Sequence, residues 1–491
     1  MSLPKLYYSS MQVKQGEVDA ANASGVEMFT LMTRAGQAVF SVLTQSYPNA
    51  KRLLVCCGGG NNGGDGYVVA KLALEQQWQV TVWHVGDTEK IRGDAKRAYQ
   101  AYLEAGGVVT KPSDSLANFD VVVDALLGTG LKGPVRSERL ALILAINDSC
   151  LPVVAVDIPS GLNADTGAVM GCAVHASHTV SFIGLKQGLV TGKARDYVGT
   201  LHFDGLGVEK AFTQQCQAKV HAIPYELLAL LRAPRSKSAH KGDFGKAVLV
   251  GGQLGMGGAL MLASQACIRS GAGLTATLTH QANIQASLVA CPEIMAGDWQ
   301  DDALFEKRLN WASAVGIGPG LGCDEFAKKR LNQVQSMALP KVLDADALTL
   351  LSLYPNVDHN RIITPHPGEA ARLLNTTVQT IEADRYRAVM SLQKRYGGVC
   401  VLKGAGTLVC SGDEVYVCTN GNPGMATGGM GDVLSGILTA LLANKYSLEQ
   451  AALLGVLLHS CAADEDAKIN GENGLLASDL FAHIRRLINK N

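Results

Sequence analysis

The chain has 491 residues, which at roughly 150 residues per domain gives two or three domains. Apolar residues make up 47% and charged residues only 18%, below the ~25% of an average soluble chain, so global disorder is excluded. Lys+Arg and Asp+Glu both number 43, a formal net charge of zero. Nucleic acid and anionic membranes select for a basic excess, so neither is expected as a partner.

No apolar run approaches the ~18 residues of a membrane span, and the start lacks a basic segment followed by an apolar core. A cytoplasmic protein is expected. The twelve cysteines include no C-x-x-C pair, and several, such as Cys400 and Cys418, sit in apolar strand-like runs. They are read as small core residues in a reducing compartment. Glycine is in excess, 54 residues where a usual ~7% would give fewer, and it is clustered.

Two α/β series follow in chain order. After an opening helical stretch through Met32 and Val39 come β-rich runs at 51–57, 79–85, 120–126 and 152–158, then 178–183 and 200–204. Helix-like segments lie at 66–77, 89–105 and 137–149. Continuous apolar strands alternating with helices predict a parallel sheet covered on both faces. Residues 213–229 break the pattern and are read as a linker. A second series has strands at 247–251, 274–279, 314–318, 341–344, 361–364, 399–403, 407–410 and 415–418, with helices at 258–270, 324–337, 379–396, 430–443 and 447–468. The series are not copies of one another. The expected architecture is a parallel-sheet α/β domain, residues 1–212, followed by an unrelated α/β domain, residues 230–491.

Strand 51–57 runs into GGGNNGGDG. Gly58, Gly60 and Gly63 satisfy G-x-G-x-x-G, with Asp87 about twenty residues on, as in a dinucleotide fingerprint. A plain tight turn would account for some of these glycines, but not for Asn61, Asn62 and Asp65. Backbone amides at a helix start favour an anion, while the added oxygens suit a cation or hydroxyls. Strand 120–126 carries Asp124 and leads to GTGLKGP, and strand 152–158 carries Asp157 and leads to IPSGLNADTG. A lone strand-end Asp is usually a turn residue. Three such ends converge where open parallel sheets bind ligands.

These motifs resemble the YjeF N-terminal domain, the NAD(P)H-hydrate epimerases, over roughly residues 10–210, which implies a Rossmann-like fold for the first domain. The resemblance implies that Asn61, Asn62, Gly63, Gly64 and Asp65, the run Gly128, Thr129, Gly130, Leu131, Lys132, Gly133 and Pro134, and Asp157 bind the hydrated nicotinamide nucleotide. It implies a potassium ion on Asn62, Asp124 and Ser160. Gly59 departs from the Pro usual in the family. Inverting a hydroxyl-bearing ring carbon needs proton transfer, for which Asp157 is the candidate acid/base.

The second series ends in NGNPGMATGGMGDVLSG. GGMGD puts glycine amides at a helix N-terminus, where they can hold a transferring phosphoryl group, with one carboxylate, Asp432, able to take a hydroxyl proton. The alternative is that Asp432 only complements the helix dipole. GAGL, GPGLG, DADAL, TPHPGE and LKGAGT precede it. In this order the motifs resemble the ribokinase-like superfamily and, within it, the ADP-dependent NAD(P)H-hydrate dehydratases, over about residues 230–488. The resemblance implies that Lys403, Gly404, Ala405, Gly406, Thr407 and Gly431 bind the adenine nucleotide. It also implies that Ala259, Gly320, His366 and Asp432 contact the hydrate, with Asp432 catalytic, ADP as co-substrate and magnesium on its phosphates. His366, between two prolines, could instead fix a turn. His459 and Asp464 are read as structural, and His175 and His178 are unassigned.

The expectation is an enzyme that interconverts the R and S hydrates of NADH and NADPH and dehydrates the S form, as a homo-oligomer. The alternative is a small-molecule kinase whose N-terminal module binds nucleotide without catalysis.

Overall fold

The computed structural model describes residues 3–113 and 115–489. The outer limits of the expected domains, 1 and 491, lie outside them. The chain divides into two compact units, the break falling between His221 and Ala222. Segment 213–229 is folded: it takes in the end of the helix Glu209–Gln215, the strand Val220–Ala222 and the start of the 3-10 stretch Tyr225–Arg232.

The first unit carries a seven-stranded sheet in the order Val109–Thr110, Gln79–His84, Arg52–Cys57, Val121–Ala125, Val153–Val156, His178–Phe182, Thr200–Asp204, parallel throughout. Both faces are covered, as the continuous apolar strands require. Leu53, Val55 and Cys57 pack into one core, while Leu54 and Cys56, pointing the other way, pack into a second. The chain enters the sheet at Arg52–Cys57, builds outward to Val109–Thr110, then crosses back to Val121–Ala125. The order therefore reverses between Arg52–Cys57 and Val121–Ala125, which is where a parallel sheet opens a crevice.

In the second unit seven parallel strands run in the order Met295–Asp298, Leu274–Thr279, Lys246–Val250, Ala314–Ile317, Lys341–Leu343, Arg361–Ile363, Val399–Leu402. Two antiparallel strands follow, Thr407–Ser411 and Glu414–Cys418. The helix Met430–Ala443 is buried along almost its whole length and belongs to a core that extends to Leu487. A helix apolar all round has to be buried.

Several elements differ from expectation. The helix after the first Gly-rich loop begins at Asn61, not 66, so Asn61, Asn62 and Asp65 stand on its first turns and not in a loop. Gly63 allows that early start: a Cβ there would come within 1.9 Å of the Gly58 carbonyl oxygen. The expected helix 379–396 is two, Val378–Ala383 and Arg385–Tyr396. Asp384 breaks it, leaving helical dihedrals and accepting the Arg387 N–H at 2.9 Å as a cap. Met295–Asp298 is a strand that Gly297 and its shortness conceal, and helices Ala345–Leu353 and Pro367–Leu374 start within motifs read as strand ends. All twelve cysteines are free; eight are buried, whereas Cys150 and Cys323 are exposed and so are not core residues. No helix among the described residues is long and apolar enough to cross a membrane.

Two candidate active sites

At the reversal point of the first sheet lies a cavity of about 600 Å³. Of the expected residues, Asn61, Asn62, Asp65, Gly128, Thr129, Gly130, Leu131, Lys132 and Asp157 line it; Gly63, Gly64, Gly133 and Pro134 do not. Gly64 instead packs beneath Met32. Asp87 is spent on a cap, accepting the Glu89 N–H at 3.0 Å, so the ribose-binding acid of a dinucleotide fingerprint is not supplied by it.

Asp124 and Ser160 sit behind the cavity wall, fully buried. Asp124 accepts the Ser160 N–H at 2.7 Å, the Ser160 hydroxyl at 2.6 Å and the Leu126 N–H at 3.2 Å. Burial nonetheless outweighs these donors and lifts its carboxyl to about 6. The amide Nδ2 of Asn62 is buried without a partner. Asp157 has φ +64°, a strained setting for a side chain other than glycine. It is held by the Ser181 hydroxyl at 3.1 Å and by the buried ammonium of Lys186. Lys186 is a cavity residue that the motifs do not show, since it lies 29 positions downstream on the two-residue strand Leu185–Lys186. The N-terminal helix Ser10–Ala23 adds Lys14 and Glu17 to the lining.

In the second unit, Gly429 caps the helix Met430–Ala443 with φ +89°, and Asp432 stands in its first turn. Around it the motifs interlock. Lys403 Nζ bonds Asp344 Oδ1 at 2.8 Å and lies 3.8 Å from Glu369 Oε2; Asp344 Oδ2 accepts the Ser435 hydroxyl at 2.7 Å. A Cβ on Gly431 would sit 3.2 Å from Lys403 Nζ, so LKGAGT, DADAL and GGMGD meet at one corner. Burial first, then the charge of Asp344, raises the Asp432 carboxyl to about 7, against the opposing pull of Lys403. Burial and neighbouring acids both favour the neutral carboxyl.

The other loops are tied to this corner. Gly252 N–H and Gln253 N–H donate to the carbonyls of Pro319 and Gly320 at 2.9 and 2.6 Å, joining the loop before the Ala259 helix Gly257–Arg269 to GPGLG. Asp346 accepts the Gly322 N–H at 2.8 Å. Buried Arg385 donates to the Lys403 carbonyl at 3.1 Å, and Thr407 to the Gly404 carbonyl at 2.9 Å. His366 is the N-cap of Pro367–Leu374, its Nδ1 accepting the Gly368 N–H at 2.9 Å, so it does fix a turn. The same ring feels Lys403, which with burial lowers its pKa. Asp464 accepts the Gly421 N–H at 2.9 Å and the Asn422 amide at 3.0 Å, holding the loop that delivers GGMGD. Sequence reasoning missed Asp344, Glu369, Ser435 and Arg385 as members of the cluster, although DADAL and TPHPGE contain the first two.

A ligand crevice at the reversal point of the first sheet and, in the second unit, a glycine-capped helix start carrying one perturbed acid are the marks of a two-domain α/β enzyme. A family model described as the YjeF-related protein N-terminus matches residues 29–188, and one described as NAD(P)H-hydrate dehydratase matches residues 247–486. The bifunctional NAD(P)H-hydrate repair enzyme Nnr of Vibrio cholerae is 55% identical over 490 residues, covering 100% of this chain and 99% of that protein. The Escherichia coli enzyme of that name is 46% identical over 491 residues, covering 100% and 95%. A crystal structure of the ADP/ATP-dependent NAD(P)H-hydrate dehydratase of Bacillus subtilis with ATP and Mg2+ covers 54% of this chain and 96% of its own, at 27% identity and TM-score 0.50. The chain belongs to the bifunctional NAD(P)H-hydrate repair enzymes.

Proposed function

We propose that each candidate site carries one of the family's two reactions, the epimerase within residues 1–212 and the dehydratase within 230–491. The enzyme repairs hydrated NADH and NADPH: it epimerises the R and S hydrates and dehydrates the S form at the expense of a nucleotide. The observation that carries the second half is the raised Asp432 carboxyl at a glycine-capped helix start beside Lys403.

For dehydration, Lys403 to Thr407 and Gly431 hold ADP, and Ala259, Gly320 and His366 place the hydrate. Asp432, ionised near neutral pH, takes the hydrate's hydroxyl proton as the oxygen accepts the terminal phosphoryl group. AMP leaves; the ester then loses phosphate from its ring carbon and a proton from the carbon beside it, taken up by the departing phosphate or water, and the double bond so formed restores the dihydronicotinamide. The amides of the helix start face the charge that develops on the transferring group. Among the described residues no cluster of three or more His, Cys, Asp or Glu could hold a metal by itself. Magnesium binds mainly through substrate phosphates and one or two carboxylates. Bound there, it would neutralise phosphate charge.

For epimerisation, Asn61 to Asp65 and Gly128 to Pro134 hold the hydrate, and Asp157 moves the proton. Potassium is assigned to Asn62, Asp124 and Ser160, whose donors fit a hard cation. The buried, unpartnered Asn62 Nδ2 becomes a free oxygen donor if the amide is turned over. Bound there, potassium would steady ligand oxygens in the crevice. A cytoplasmic homo-oligomer that binds neither nucleic acid nor membrane completes the reading.

The test is recovery of near-ultraviolet absorbance from hydrated NADH with ADP, ATP or no nucleotide. Wild type restores it with ADP, and Asp432→Asn does not. A stable phosphorylated product in place of NADH would favour a kinase, and full turnover by Asp432→Asn would remove the reading.

A further inference from the structure

Among the carboxylates lining the first unit's cavity, Asp157 and Asp65 lie in unlike surroundings. Asp157 is matched by the Lys186 ammonium and the Ser181 hydroxyl. Asp65, on the helix Asn61–Glu75, lines the same cavity, yet no side-chain or backbone donor among the described residues reaches its carboxyl group. Its backbone is fixed: a Cβ on Gly36, in the helix Met28–Ser46, would touch Val68 and come within 3.3 Å of the Asp65 carbonyl. The carboxyl thus faces the cavity from a rigid support and has no salt-bridge partner of its own.

We infer that Asp65 is the proton-donating partner of Asp157 in the epimerisation, with Lys186 fixing which of the two carboxyls starts as base. This rests on the proposed epimerase reading of the cavity. Asp65 is faced by Asp157 from the loop after Val153–Val156, Glu17 from the N-terminal helix, Lys186 from Leu185–Lys186 and Cys57 from its own strand–helix unit. Burial comes first; then Asp157 and Glu17 push its carboxyl well above the usual range, and Lys186 only partly offsets them. A carboxyl driven toward its neutral form, lining the same cavity as one paired to an ammonium, is a natural acid–base partner for it.

The step balances. Asp157 takes the ring hydroxyl proton, the carbon–oxygen bond becomes a carbonyl, the ring carbon–nitrogen bond breaks, and its electron pair on nitrogen takes the Asp65 proton. Rotation beside the new carbonyl turns its other face to the nitrogen. Nitrogen adds there, its proton returns to Asp65, and oxygen recovers the proton held by Asp157. Nothing is oxidised, and the net result is inversion at one carbon.

The experiment follows R-to-S exchange of hydrated NADH by the full chain without nucleotide, across a range of pH. Wild type should lose activity on an alkaline limb, as Asp65 loses its proton. Asp65→Asn, close in size, should lower kcat by about a hundredfold, leave KM within a few-fold and abolish the alkaline limb. A wild-type profile without that limb overturns the inference, whether or not the variant folds. So does an Asp65→Asn enzyme with raised KM but unchanged kcat and profile, the behaviour of a mere binding group. Absence of any exchange by wild type would sink the epimerase reading itself; exchange that needs Asp157 and ignores Asp65 would sink only this inference.

Discussion

Asp432 shows what a single residue gains from its neighbours. A first-turn aspartate in water would be ionised far below neutral pH, but burial beside Asp344 lifts it to about 7. As the proposed base, Asp432 works only when deprotonated, so kcat/KM for dehydration should rise with pH through that value and level off above it. Lys403 pulls the same carboxyl down; Lys403→Met should therefore shift the limb to higher pH as well as weaken nucleotide binding. Asp432→Asn should lower kcat by about 10²–10⁴-fold, measured by NADH absorbance with saturating ADP. The aspartate and its glycines were legible in GGMGD. The lysine's grip on Asp344 was not, because the two are 59 positions apart and only the adjacency of their strand ends across Arg361–Ile363 brings them together.

At the scale of elements, the active corner depends on how closely two helices approach. Met430–Ala443 bears Asp432 and Gly257–Arg269 bears Ala259; a Cβ on Gly436 would lie 2.0 Å from the Ala263 carbonyl oxygen. Gly436→Ala must push the helices apart, at a cost of about 1–3 kcal/mol or more, read as a lower urea midpoint. Dehydration should fall with it while epimer exchange stays intact. Asp464 acts on a loop: Asp464→Ala strands the Gly421 N–H and the Asn422 amide, each loss worth about 1–3 kcal/mol. Slower dehydration together with a lower urea midpoint is the expected result. The alternation of apolar strands and helices made both sheets readable in chain order. Helix starts were harder, because Asn61 and Asp65 look like loop residues until the Gly63–Gly58 approach closes the turn beneath them. The break at Asp384 was hidden for a similar reason, since an acid inside an amphipathic pattern gives no sign that it caps.

At the scale of the molecule, the two units have separate cores, one formed from residues between Tyr8 and Phe212 and the other from residues between Ile223 and Leu487. Each site draws its expected residues from one unit only, so substitutions should divide the chemistry cleanly. An S-selective dehydratase alone consumes one epimer and stops, and the epimerase converts the remainder into usable substrate. With a mixture of hydrates and excess ADP, wild type should therefore return all of it to NADH. Asp157→Asn should restore the S fraction quickly and then stall with the R form unspent. Asp432→Asn should restore none, yet still bring an R-enriched sample toward the epimer equilibrium. Chromatography of the two epimers over time distinguishes these courses. Complete consumption by Asp157→Asn would mean that the second unit accepts both epimers, and the reason for carrying both activities in one chain would then lie elsewhere.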